Sequence, residues 1–421
     1  VTAPTWYHAT APALPAFPQL DGDLRVDVVV IGAGLTGLSA ALTLAEQKHR
    51  VVVLEKARIG LGASGRNGGQ VHSGQRREQD YLEKAVGRDD AMKLWRMAED
   101  AKVHLRGLIA RHGIDCDWRY GLIHADHKRR FVPHTHAYAE HLRDIYGYDR
   151  IDLLDRDALR AMVHSRDYHG GYLDRGAAQL HPLKLVQGLA RAATEAGAEI
   201  YEMTEASGLT PGAEIAVETP LGTVRAARVI VAGDALMRGL DPVTDAHVMP
   251  IASTVAVTEP LGESLRAYLP TDAAVSDSRF VVNYFRPTHD GRLFFGGGES
   301  YSTTPVANPG RLVRRALAKV FPSLRDVRFD HAWSGIVGVT TTRLPLVRRA
   351  APNVLVAAGY SGQGLALAPL FGHILAEAAM EPDARLDLLM RLPTSAFPGG
   401  AWLRHPLLVA AMSYFALRDR L

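Results

Sequence analysis

VDVVVIGAGLTGLSAALTLAEQKHRVVVLE, residues 26–55, carries the reading of the fold. Val26–Ile31 is a nearly unbroken β-branched run, the pattern of a parallel strand buried on both faces. It enters Gly32-Ala33-Gly34-Leu35-Thr36-Gly37; Leu38–Gln47 then reads as a helix, and Arg50–Leu54 as a second strand ending at Glu55. Strand, G-x-G-x-x-G, helix, strand and acid, in that order, are what a dinucleotide requires. Gly32 permits a tight turn, Gly34 lets the backbone approach a pyrophosphate, and Gly37 lets helix and strand pack closely. The helix N-terminus offers N–H groups and partial positive charge to phosphates. Glu55 lies 23 positions after Gly32, near the roughly 20 expected of an acid that binds a ribose hydroxyl.

Lys56 and a glycine-dense loop, Gly62–Gly69 (GASGRNGG), follow almost at once. Ala63, Gly68 and Gly69 let backbone amides approach a flat ligand that bulkier residues would hit, while Ser64, Arg66, Asn67 and Gln70 add polar groups. A plain flexible loop is the alternative. Further on, Val229–Gly233 reads as another buried strand, ending in the turn Ala232-Gly233. Val354–Ala358 leads into Gly359-Tyr360-Ser361-Gly362-Gln363-Gly364 and then a helix over about 365–380. A flavin pyrimidine ring gains at such a helix N-terminus, because its reduction builds negative charge there. No second strand–G-x-G-x-x-G–helix unit that could hold NADPH is read.

Composition bounds the rest. The 421 residues, 47% hydrophobic and 22% charged, exclude collagen-like, coiled-coil and disordered chains. The net charge of +3 gives no overall electrostatic case for nucleic acid. The single cysteine, Cys116, excludes a disulfide framework and a cysteine-rich zinc site, and reads as a small buried hydrophobe. No signal peptide and no membrane span are read, and the expected compartment is the cytoplasm. Residues 1–21 read as an extended arm pinned by Trp6, Tyr7 and Phe17. Residues 396–421 read as a tail whose apolar run Leu407–Leu417 forms a short packed helix. Histidines 124, 127, 134, 136 and 141 crowd one region but fit no standard zinc spacing, so no metal is expected.

These segments resemble the D-amino-acid-oxidase-like superfamily of FAD oxidoreductases, the group with glycine and sarcosine oxidases. The closer likeness is to its γ-glutamylputrescine-oxidase-like branch. The carriers are VVVIGAGLTGLSAAL (28–42), VVLEKARIGLGASGRNGGQ (52–70), TEPL (258–261), GYSGQGLALA (359–368) and the tail from FPGG (397–400) onward. The resemblance implies a two-domain α/β flavoprotein. A Rossmann-like FAD-binding domain of glutathione-reductase type would comprise 22–75, 150–235 and 328–395. An α+β substrate domain on a mixed β-sheet would comprise 76–149 and 236–327. It implies FAD, expected here without a covalent link, because no histidine occupies the Gly62–Gly69 loop and Cys116 is far from where relatives attach flavin.

Ser253–Thr258, Phe280–Phe285 and Arg292–Gly296 read as strands of the substrate sheet. Tyr284 and Arg286 are its polar candidates, and His72, just after the glycine loop, is another. Relatives of glycine-oxidase type place a carboxylate-binding arginine two residues after the glycine of a W-x-G segment; here that position is Val337, with Arg343 further on. Without a fixed guanidinium an α-carboxylate is held poorly, so an amine, acylated or secondary, is favoured over a simple amino acid. Sarcosine-oxidase-type relatives also place a lysine near the flavin in the middle segment; between Lys184 and Lys319 this chain has none. The expected activity is oxidation of an amine C–N bond by hydride transfer to flavin N5, with hydrolysis of the imine to an aldehyde plus ammonia or an amine. Electrons would pass to O2 or another acceptor. Arg66, His72, Tyr284 and Arg286 are the expected catalytic residues, with Val337 and Tyr360 lining the substrate. An amino-acid oxidase or dehydrogenase is the alternative within this class; a non-catalytic flavin-fold assembly factor is the alternative outside it. The oligomeric state stays open.

Overall fold

The computed structural model describes residues 5–237, 239–298 and 303–398. Its centre is the strand Leu24–Ile31, whose Val28, Val29 and Val30 are fully buried. It pairs in parallel with Val51–Leu54 on one side and Gly222–Val231 on the other. The eight-stranded sheet runs Leu346–Ala351, Val354–Ala358, Gly222–Val231, Leu24–Ile31, Val51–Leu54, Glu199–Tyr201. Gly208–Thr210 and Ile215–Thr219 are added along Gly222–Val231. Both faces of its parallel core are covered, which is why these strands read as unbroken apolar runs.

The helix Leu35–Glu46 buries every residue from Leu35 to Ala45. A helix apolar all round needs neighbours on every side; here they include the helices Pro182–Ala196 and Gly364–Met380. The helix starts three residues before the expected Leu38. Gly37 reads as a breaker in sequence but sits within the first turn, where a Cβ would come 1.9 Å from the Gly32 carbonyl oxygen.

A nine-stranded mixed sheet faces the first. Its order is Phe329–Val339, Met249–Thr258, Leu293–Gly296, Tyr284–Pro287, Ala274–Asp277, Arg119–Ala125, Gly171–Gln179, Gln70–Val71, with Ile151–Leu154 also paired to Gly171–Gln179. Among the described residues, only its pairing of Ala274–Asp277 with Arg119–Ala125 is parallel, so the sheet is mixed. Phe294 and Phe295 show the two-residue period of the sheet. Phe295 stacks on Phe285 in the core beneath the helix Pro309–Val320, while Phe294 points the other way, against Trp6, Tyr7 and Trp333.

Three expectations differ from this arrangement. Strands Ile151–Leu154, Gly171–Gln179 and Phe329–Val339 belong to the second sheet, although the sequence reading placed their segments with the first. The β-branched and aromatic character of these strands is common to both sheets, and their partners are distant in sequence. The expected strand Phe280–Phe285 begins only at Tyr284. Its first half turns around the buried Asp277, whose carboxylate accepts the N–H groups of Arg279 and Asn283 at 3.2 and 2.9 Å. The expected helix in Leu407–Leu417 lies outside the described residues.

The arm is pinned as read but is not extended throughout, since Trp6–Thr10 forms a short helix capped by Thr5. Trp6 and Tyr7 are buried, and Phe17 packs half-buried on the core. Cys116 is a core residue, and burial pushes its thiol up to about 12. Among the described residues, no helix is long and apolar enough to cross a membrane, and no group of three or more His, Cys, Asp or Glu is placed to hold a metal ion.

The closest approach of the two nucleotide-side helices is at Gly372, where a Cβ would lie 2.1 Å from the Thr36 carbonyl oxygen. Backbone cannot yield there as a side-chain tip can. Gly372→Ala is therefore expected to cost about 1–3 kcal/mol, read as a lowered midpoint in thermal unfolding followed by circular dichroism; an unchanged midpoint would contradict the tight crossing.

Candidate active site

At the end of the first strand, Gly32 turns with φ +102°, and a Cβ there would lie 2.8 Å from the Ala232 carbonyl oxygen. The G-x-G turn and the Ala232-Gly233 turn thus meet at the same edge of the sheet. Glu55 shapes the first of them: its carboxylate accepts from Ala33 N–H at 2.9 Å and from Ala57 N–H at 3.0 Å. Burial raises its pKa while these two bonds oppose the rise. Ser64 Oγ accepts from Leu35 N–H at 3.1 Å, and Gly34, the helix N-cap, makes no side-chain cap bond. N–H groups of that first turn remain for a ligand.

The glycine loop is held from outside. Trp333 Nε1 donates to the Arg66 carbonyl at 3.0 Å, Tyr7 OH to the Asn67 carbonyl at 2.7 Å, and Arg286 Nε to the Gly68 carbonyl at 3.0 Å. The Asn67 side chain is spent inside the loop, donating to the carbonyls of Ala63 and Ser64 and accepting from Gly69 N–H. Arg286 also donates to Gln179 Oε1 and Tyr7 OH and lies 4.7 Å from the Phe294 ring centre. It stands behind the cavity wall and sets the loop from there.

A cavity of about 1250 Å³ runs from these turns to the second sheet, above the roughly 300–1,000 Å³ of an ordinary small-molecule pocket. Gly32, Gly34, Leu35, Thr36, Glu55 and Lys56 line its nucleotide end, and Ala63, Ser64, Arg66, Asn67, Gly68 and Gln70 its middle. Ala232, Gly233, Tyr360, Ser361, Gly362, Gln363 and Gly364 close another side, while Gly37, Gly69 and Gly359 serve the turns from behind. Tyr284 and Val337 line the wall from the second sheet, with Ile251, Ser253 and Val255. Beyond them the cavity opens into a room with His72, Trp95, His124, Tyr138, Tyr148 and Tyr172.

Among the described residues, polar groups of Arg66, Gln75, Arg77 and Gln363 line this cavity without a protein hydrogen-bond partner, and two of them bear on a cofactor. Arg66 is 4% exposed, and its Nε and Nη1 find no hydrogen bond among the described residues. Burial lowers its pKa. Gln363 Oε1 is likewise buried and unbonded. A ring system bearing both acceptors and donors, as a flavin does, satisfies both; a purely apolar ligand satisfies neither. Tyr360 OH is 2.7 Å from Thr36 Oγ1, fixing the two turns to each other. His72 is pushed down to about 3, first by burial and then by Arg76, His124 and Lys102, so its ring is neutral at ordinary pH.

Several groups that build this site gave no sequence signal. Asp234, at φ +49°, accepts from Gly359 N–H at 2.7 Å and Gly338 N–H at 3.2 Å, joining the Val337 strand to the Tyr360 turn. Its place directly after VIVAG is the only hint in the chain. Tyr7 reads only as an anchor, and nothing local ties it to Asn67.

A family profile described as FAD dependent oxidoreductase (DAO) matches residues 27–378. The chain is 42% identical over 417 residues to a probable oxidoreductase OrdL of Rhizobium meliloti (99% of this chain, 97% of the relative). It is 37% identical over 419 residues to the γ-glutamylputrescine oxidoreductase of Escherichia coli (99% and 98%). Among solved structures, glycine oxidase from Geobacillus kaustophilus is similar with a TM-score of 0.69 at 23% identity, covering 89% of this chain and 96% of that one. L-proline dehydrogenase from P. horikoshii is similar with a TM-score of 0.73 at 21% identity (88% and 98%).

The three outward-held carbonyls predict how the loop responds to substitution. Tyr7→Phe removes both the bond to the Asn67 carbonyl and the charge-assisted one accepted from Arg286, together about 1.5–3 kcal/mol, and should weaken FAD binding ~10-fold or more. Arg286→Met removes charge-assisted bonds of about 1.5–3 kcal/mol and should weaken it ~10–100-fold. Fluorescence titration of the apoprotein with FAD measures both, and equal affinity in the two variants and the parent would dissociate the loop from cofactor binding.

Proposed function

The chain belongs to the FAD-dependent oxidoreductase (DAO) family, and from that premise we propose that it oxidises the C–N bond of a primary or secondary amine, γ-glutamylated amines included. Water hydrolyses the resulting imine to an aldehyde plus ammonia or an amine. The observation that carries this reading is Val337. At the position where the resemblance implies an arginine for an α-carboxylate, an aliphatic side chain lines the cavity, which then continues into the aromatic room. The 37% identity to γ-glutamylputrescine oxidoreductase over 99% of the chain supports it.

In this reading the Gly32–Gly37 turn holds the pyrophosphate. Glu55 takes a ribose hydroxyl on the lone pairs its two backbone bonds leave free. Ser64, Arg66, Gln70 and the Tyr360–Gly364 turn hold the flavin without a covalent link. When bound, FAD supplies the hydride acceptor. Arg66 forms no ion pair with a carboxylate among the described residues, and its Nε and Nη1 are unbonded. It stabilises negative charge delivered beside it and disfavours an ammonium there, so the amine docks as the free base, with a lone pair available for the forming imine. His72, neutral, accepts a hydrogen bond from the amine N–H and orients it. Tyr284 and Val337 close the wall against water.

A second reading, oxidation of an amino acid, rests on Arg76 and Arg343, which line the same cavity and offer charge to a carboxylate. An anaerobic titration of the flavin absorbance separates the two. The panel is γ-glutamylputrescine, putrescine, simple alkylamines, glycine, sarcosine and D-alanine. Bleaching by amines alone is expected. Bleaching by amino acids alone would replace this reading with the second, and bleaching by none would overturn both. Readmitting oxygen afterwards tells an oxidase from a dehydrogenase.

Arg66→Ala is expected to slow flavin reduction by about 100-fold. Reduction should also rise with pH as the substrate ammonium loses its proton. His72 has a lowered pKa of about 3, so it is deprotonated throughout pH 6–10 and cannot be the titrating group. The midpoint of the rise should therefore stay in place in His72→Gln, measured by anaerobic stopped flow; a shifted midpoint would assign the limb to the histidine.

A further inference from the structure

The room beyond Val337 has an electrostatic character of its own. His124, on the strand Arg119–Ala125, stacks on Tyr172 with ring centres 5.2 Å apart and planes 16° from parallel. Behind His124 lies Asp126, fully buried. Both its carboxylate oxygens lack a hydrogen bond among the described residues, and the nearest cationic candidate is His124 Nε2 at 3.5 Å. A carboxyl enclosed in this way is completed only by a group brought up to it, and it lies directly behind the His124 ring. Asp174 and Glu78 line the same room. Asp174 accepts from Tyr148 OH and from the N–H groups of Gly176 and Ala177 at the wall.

The phenol of Tyr172 reports the potential in the room. Burial raises its pKa most, and Asp174, Glu78 and Asp126 each raise it further. Tyr138, on the facing helix Val132–Tyr146, is raised by burial, Tyr172, Glu78 and Asp80. A potential that disfavours a phenolate favours a cation at the same place. No hydrogen bond to the Tyr172 hydroxyl is found among the described residues. Lys102 stands at the edge of the room, pairing with Glu99 at 2.8 Å, donating to Ser73 and Tyr148 OH and lying 5.2 Å from the Tyr148 ring centre, while Arg77 lies 4.0 Å over the Tyr81 ring and His134 is 3.7 Å from Glu78. The cavity thus carries Arg66 in one part and, in another, aromatic faces with carboxylates beside them.

We propose that the room walled by Tyr138, Tyr172, His124, Glu78 and Asp174, with Asp126 behind, binds a protonated nitrogen at the far end of the substrate. The substrate class is then an amine with a second, cationic nitrogen, docked with its reacting nitrogen neutral beside Arg66 and its distal ammonium among the tyrosine rings. This rests on the amine reading above and narrows it. A desolvated cation on aromatic faces gains up to about 2 kcal/mol, which is more than tenfold in affinity.

The test is isothermal titration calorimetry on the FAD-loaded protein under anaerobic conditions, which reads binding whether or not the ligand is oxidised. Ligands are putrescine, cadaverine and spermidine, the alkylamines of matching chain length, and the matching ω-amino carboxylates. At least one diamine or polyamine should bind ~10-fold or more tightly than its alkylamine, and the ω-amino carboxylates should bind most weakly. In Tyr172→Leu and in Glu78→Gln that preference should fall at least about threefold. Two variants are used so that loss of one fold does not decide the matter. Equal affinity for diamines and alkylamines, a preference for ω-amino carboxylates, or a preference unchanged in both variants would overturn the proposal. Failure of the amine reading shows differently, as absent flavin bleaching with the distal preference still measurable.

Discussion

Three successive peptide carbonyls, those of Arg66, Asn67 and Gly68, are drawn outward by Trp333, Tyr7 and Arg286. Carbonyls held on one side of a short loop leave its other side to N–H groups and to the Arg66 side chain. That side is the cavity wall. The donors come from three parts of the chain: the amino-terminal helix, the strand Tyr284–Pro287 and the strand Phe329–Val339. The loop after the second strand of the first sheet is therefore shaped chiefly by the second sheet and the arm. The two sheets are coupled at the point where the cofactor must lie.

That coupling accounts for the charge at the site. A guanidinium left at 4% exposure without a partner is costly unless a ligand completes it. The backbone that carries Arg66 is fixed, its carbonyl to Trp333 and those of its neighbours to Tyr7 and Arg286. The protein thus keeps a positive charge in a pocket that has little water to screen it.

How much of this the chain discloses depends on whether a constraint is local. Gly32, Gly34, Gly37 and Glu55 were readable because turn, helix and acid recur within one strand–helix–strand unit, and even the early start of the helix follows from Gly37's contact with Gly32. The FAD requirement was readable on the same grounds, reinforced by the resemblance. Arg286 was picked out for its charge but given the wrong place: hydrogen bonds to Gly68, Gln179 and Tyr7 put it behind the wall. Asp234 and Tyr7 were not recognised as parts of the site, since their partners lie 104 and 60 residues away. Sheet membership of Ile151–Leu154 and Phe329–Val339 was unreadable for a related reason: an apolar strand does not state which sheet will accept it.

The span of those loop contacts has a consequence for the order of assembly. They close segments of 60, 218 and 267 residues. Contacts so distant in sequence carry a loop-closure entropy that local structure does not, and they form late. The strand–helix–strand unit can therefore take shape from its own residues while a chain is still growing. The Gly62–Gly69 loop reaches its final form only after Trp333 has been made and the first and second sheets have met. Cofactor capture is thus placed near the end of folding, and an incomplete or misfolded chain lacks a finished flavin pocket in which to generate a reduced, reactive ring.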